Sequence, residues 1–161
     1  MNIKELVDSV KNTYESFTWI PKIQMLWHSG YWDGPTSGVC EVDNQKCWFA
    51  VVKEFDDFPP EYFEDGSFCF DAPWFRRFII VKLTDEQWNV ISQDHQYVID
   101  SIGGFFISYD KDNRRVLWGA NPNSKATEES RKLYWDSIGN GTRKYPDIQY
   151  SVDQIIGWYE R

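Results

Sequence analysis

The segment Gly38-Val-Cys-Glu-Val-Asp-Asn-Gln-Lys-Cys-Trp-Phe-Ala-Val-Val52 constrains the fold more than any other. β-Branched and aromatic residues flank Asp43-Asn44, so it reads as two antiparallel strands joined by a two-residue primed turn. That register sets Glu41 against Lys46, an opposite-charge cross-strand pair. It also sets Cys40 against Cys47. Counting outward from the turn, this is a hydrogen-bonded pair, with Cα atoms about 5.5 Å apart.

The stretch feeding that hairpin, Leu26 to Gly38, holds Gly30, Gly34 and Gly38, with Pro35 after the second. Glycine permits positive φ and proline fixes φ while removing a donor, so the stretch reads as shaped loop. Trp27, Tyr31 and Trp32 on it either fold back as a lid on the core or wall an aromatic pocket. In the pocket reading His28, Asp33, Thr36 and Ser37 are the polar groups, and the ligand is a small molecule such as a nucleotide stacked on the rings. The lid is the preferred reading, because large rings serve the core first.

Elsewhere the pattern alternates between helix and strand. Residues 2–17 carry Ile3, Leu6, Val7, Val10, Tyr14 and Phe17 at helical spacing, with Asn2 and Glu5 as a capping box. Arg76 to Leu83 is the most apolar strand candidate and is expected at the centre of a sheet. Thr84 and Gln87 cap a helix carrying Trp88, Ile91, His95, Val98, Ile99 and Ile102 on one face, stopped by Gly103-Gly104. Phe105–Tyr109 and Arg114–Trp118 read as a second hairpin across Asp110–Asn113. Its Asp-x-Asp lacks the glycine and the closing Glu of a calcium loop. Residues 126–138 read as a helix with a Glu128–Lys132 pair, and the tail around Ile155-Ile-Gly-Trp158 as a strand. Together these predict a single α+β domain over 1–161, with a mainly antiparallel sheet and two or three helices packed on it.

Charge narrows the function classes. The 161 residues carry a net charge of −8, which disfavours nucleic-acid binding and suits a basic partner. Almost all of it lies in Glu54 to Phe75, with seven carboxylates, eight aromatic residues and no Lys, Arg or His. Asp56, Asp57, Glu61, Glu64 and Asp65 there interleave with Phe58, Tyr62 and Phe63. Rings of this kind anchor interface centres, and carboxylates around them speed encounter with a basic protein. The competing reading is a solvated acidic loop pinned to the core by its rings.

Catalytic and metal motifs are weak. Cys40, Cys47, Cys69 and His28 lack the close Cys-x2–4-Cys spacing of a structural zinc site, so they read as reduced thiols in a cytoplasmic chain. No metal or cofactor is expected. His28 with Asp33 and Ser37 is the one local cluster with hydrolase residue types, and His95 reads as a core histidine. The doublets Arg76-Arg77 and Arg114-Arg115 read as salt-bridge partners of the acidic segment, with one member of each facing outward. No apolar run approaches membrane-spanning length. In general terms size, acidity and aromatic content resemble toxin-immunity proteins and phage-encoded inhibitors, without a motif that ties the chain to either. The leading expectation is a non-catalytic acidic binding protein of inhibitor or immunity type that engages a basic protein surface. A small-ligand binder using residues 27–38 comes second and a hydrolase centred on His28 third.

Overall fold

The computed structural model describes residues 1–31, 34–54, 57, 75–103, 109–114 and 124–161. The chain divides into a sheet unit, Met1–Leu83 with Gln149–Arg161, and a helical unit, Thr84–Ile148. The fold is α+β, with a five-stranded antiparallel sheet and three α-helices among the described residues.

The sheet runs β1 (Gln24–Tyr31), β2 (Pro35–Val42), β3 (Gln45–Lys53), β4 (Arg77–Lys82) and β5 (Ile155–Glu160), paired in that order. The β2–β3 turn is as expected, with Asp43 and Asn44 both at positive φ (48° and 64°) and Glu41 opposite Lys46. The Lys46 ammonium donates to the Glu41 carboxylate.

Residues 26–38 correct the loop expectation, because most of them are strand. β1 and β2 pair as antiparallel strands whose register slips three times, between Met25 and Trp27, between His28 and Gly30 and between Gly30 and Tyr31. Gly34 turns the chain at φ 123°. Gly38 needs its missing side chain for space: a Cβ there would lie 2.2 Å from the Trp27 carbonyl and 2.6 Å from His28 Cα. Glycine spacing therefore marked close backbone approach between strands.

β4 is interior rather than central, lying between β3 and β5. Phe78, Ile79, Ile80 and Val81 are all buried, as a strand covered on both faces requires. The apolar tail supplies the neighbouring strand β5, preceded by a short turn at Val152–Gln154 in which the Ser151 amide donates to the Gln154 side-chain oxygen (3.1 Å). On its outer side β5 meets Thr18–Ile20: the Trp158 amide donates to Thr18 O (2.9 Å) and the Ile20 amide to Trp158 O (2.8 Å).

Helix α1 (Ile3–Val10) starts at the expected Asn2–Glu5 capping box and packs on β3 through buried Leu6 and Val10. It ends about two turns earlier than the apolar spacing implies. The Thr13 hydroxyl and amide both donate to Val10 O, and the chain re-forms one short turn at Tyr14–Ser16. A short polar side chain such as Thr13 competes with the helix ladder in this way.

In the helical unit, α2 (Asp85–Ile102) starts at Thr84 and Gln87 and stops at Gly103 (φ 94°), whose amide donates to Ile99 O. α3 (Glu128–Gly139) starts at a Thr127–Ser130 capping box and packs on α2. Its ion pair joins Lys132 to Asp136 (3.4 Å) rather than Glu128 to Lys132. Glu128 sits in the first turn, where the helix dipole favours a carboxylate. Of the second hairpin, residues 109–114 are described: Asp110 Oδ1 accepts from the Asp112 and Arg114 amides, and Asn113 adopts φ 59°. Hydrogen bonding to those amides holds the Asp110 carboxyl below its usual pKa. No helix among the described residues is long and apolar enough to cross a membrane.

Candidate functional site

Of the acidic-aromatic residues singled out above, Asp57 is described, and it is exposed on the rim of a polar concavity of ≈ 660 Å³ shared with Lys11, Glu15 and Lys53. Asp56, Phe58, Glu61, Tyr62, Phe63, Glu64 and Asp65 lie outside the described residues. So do Trp32, Asp33 and Cys69, while Tyr31 is placed as the backbone end of β1 opposite Pro35. Trp27 and His28 are half-buried on β1, with His28 opposite Gly38. Strand alternation then sends Ser37, the neighbour of Gly38, to the face opposite His28.

Both arginines of the first doublet are largely buried, which corrects the expectation that one faces outward. Each meets a carboxylate close by, and the ion pair takes the place of water. Arg76 is fully buried and donates to Glu54, the first carboxylate of the acidic segment (2.6 Å). Arg77 donates to Glu160 (2.7 Å), to Glu15 (2.8 Å) and to the Tyr14 hydroxyl (2.8 Å), and lies 5.0 Å from the Trp158 ring. These pairings tie β3, β4, β5 and the turn after α1 together.

His95 sits half-buried on α2. Burial pushes its pKa down to about 4, against a weaker opposing pull from Asp94, so it is neutral near pH 7. No group of three or more His, Cys, Asp or Glu among the described residues is placed to hold a metal.

The most distinctive cluster was not anticipated. Arg143, between α3 and the sheet's last segment in sequence, has a side chain only 6% exposed and donates to Asp94 on α2 (2.7 Å). Its guanidinium lies 4.7 Å from the Tyr145 ring centroid, 5.0 Å from Tyr97 and 5.8 Å from Tyr134. Tyr134 stacks edge-on against Trp135 at 5.3 Å and tilts against Tyr97 at 6.2 Å. Three rings thus gather around one cation, and Trp135 joins them through Tyr134. Tyr134 is buried at the centre, while Tyr97 (47%), Trp135 (57%) and Tyr145 (67%) stand open to solvent. Beside them a concavity of ≈ 320 Å³ is lined by Asp94, Tyr97, Ser137, Thr142, Arg143 and Lys144.

One signal for this patch was present in the sequence. Leu133, Tyr134 and Trp135 are consecutive in a helix, and successive residues turn by about 100°, so three large apolar side chains in a row cannot share one buried face. Tyr134 takes the core position and its neighbours are left outside. No family model, no curated protein and no solved structure matches this chain.

Proposed function

We propose that this chain is a non-catalytic binding protein that docks a basic protein partner. The observation that carries the reading is the ring cluster around Arg143, with Tyr97, Trp135 and Tyr145 exposed together. Tyr, Trp and Arg are the residue types that dominate interface energetics, and rings held against one another lose little freedom on binding. The internal Arg143–Asp94 pair keeps the cluster ordered before a partner arrives, which lowers the ordering cost of association. The net charge of −8 favours a partner of opposite sign and faster encounter at low salt. In this reading Asp56, Asp57, Glu61, Glu64 and Asp65 supply that steering, and Phe58, Tyr62 and Phe63 supply further anchors.

The test is affinity capture from the native host with wild type and a Trp135→Ala/Tyr145→Ala double variant, followed by mass spectrometry and titration of the captured protein. The expected partner is basic, binds saturably, and binds the double variant at least tenfold more weakly. Equal affinity of the two forms for the same partner would refute the assignment of this surface.

A further inference from the structure

Two thiols face each other across the β2–β3 strand pair. Cys40 on β2 and Cys47 on β3 are free thiols, both completely buried, and directly opposed in register. The two side chains interact across the strand pair, and the Cys47 thiol donates to the Gln45 carbonyl (3.5 Å). The same register row continues to Met25 on β1 and to Lys82 on β4. Met25 is buried and accepts a hydrogen bond at its sulfur from Arg161 (3.3 Å), whereas Lys82, at the other end of the row, is exposed.

The two thiols are not equivalent. The interaction with Cys47, reinforced by burial, holds the proton on Cys40 and pushes its pKa up. The same interaction lowers the pKa of Cys47 against the opposing effect of burial, with the Lys82 charge alongside. A thiolate is the reactive form, so Cys47 is the member set to be oxidised first.

We propose that Cys40 and Cys47 form a redox pair that a peroxide oxidant closes into a reversible cross-strand disulfide. In the first step the Cys47 thiolate attacks one oxygen of hydrogen peroxide, the O–O bond breaks, and Cys47 sulfenic acid and hydroxide form. In the second the Cys40 sulfur displaces the sulfenic oxygen. The S–S bond forms, Cys40 gives up its proton, and water leaves. The protein loses two electrons and two protons, and peroxide is reduced to water.

Geometry makes the bond reversible rather than structural. Val42 pairs with Gln45 beside the two-residue turn, so alternation makes Cys40–Cys47 a hydrogen-bonded pair with Cα atoms about 5.5 Å apart, inside the range a disulfide spans. Opposed Cβ atoms in a sheet sit about 4.5–5.5 Å apart, against about 3.8 Å in a relaxed disulfide. The strands must pinch together locally, and a strained disulfide is readily reduced.

The experiment exposes the reduced full chain to hydrogen peroxide, alkylates the remaining thiols in denaturant, and maps peptides without reduction. The expected result is a mass lower by two hydrogens, a Cys40–Cys47 link, Cys69 still alkylated, and full reversal by dithiothreitol. In a Cys40→Ser variant that retains the wild-type circular dichroism spectrum, Cys47 should be trapped by dimedone as its sulfenic acid. Should that variant not fold, the wild-type peptide map alone decides. Three alkylated thiols under conditions that consume an equal concentration of glutathione would overturn the proposal. So would a link to Cys69, or oxidation of Cys47 to sulfinic acid without a link.

Discussion

Replacing His95 by Gln should remove a definable part of the chain's acid sensitivity. The folded imidazole has its pKa pushed from 6.5 to about 4 by burial. Below pH 6.5 the unfolded chain therefore binds a proton that folded His95 refuses, and stability falls as the pH falls. The slope is about 1.4 kcal/mol per pH unit until the folded imidazole itself protonates near its own lower pKa. Between pH 7 and pH 5 the loss attributable to this one group is about 2 kcal/mol. Carboxylates contribute their own pH dependence, so the quantity to measure is the difference between wild type and His95→Gln. Urea unfolding followed by far-UV circular dichroism at both pH values supplies it, because α2 is one of the chain's longest helices among those described. The variant should lose less stability than wild type across that interval, by about the stated amount, whatever its stability at pH 7. Equal losses would refute the reasoning, as would an NMR titration of His95 with a midpoint near 6.5.

Other outcomes follow from single contacts. Gly38→Ala should cost about 3 kcal/mol or more, because the added carbon meets the Trp27 carbonyl and His28 Cα, both backbone, and a strand must move; a denaturant midpoint checks it. Asn44→Gly should stabilise the chain by up to about 1 kcal/mol, since Asn44 holds a left-handed φ of 64° that glycine adopts freely; thermal unfolding reads this. Trp135→Ala should change stability by less than about 0.5 kcal/mol, because its ring is more than half exposed, and a larger loss would mark it as core.

What the sequence disclosed depended on whether the signal was local. Capping boxes at Asn2–Glu5 and Thr84–Gln87, the Asp43-Asn44 turn and the Gly103 stop are each fixed by residues a few positions apart, and each stands where local rules put it. The β2–β3 register followed from the turn, down to Cys40 opposite Cys47. Residues 26–38 failed the same approach. Gly30 and Gly38 look like loop formers until a neighbouring strand is in place, and only then does the lack of a side chain read as clearance between backbones. The Arg77 network joins residues 14, 15, 158 and 160, which no window of sequence contains. Arg143 is a similar case: its carboxylate and two of its rings, Asp94, Tyr97 and Tyr134, come from α2 and α3, so nothing near it in sequence announces a ring cluster. The Leu133-Tyr-Trp135 run was a legible hint, but it shows only that some large side chain must face water and not which rings gather around it.

The most direct test of the binding account is carbene footprinting of the chain, free and saturated with its captured partner. Tyr97, Trp135 and Tyr145 are open in the free protein and should be labelled there. In the complex all three should be protected together, while exposed Trp19 of the sheet unit keeps its free-state labelling. Unchanged labelling at Tyr97, Trp135 and Tyr145 in a saturated complex would contradict the account.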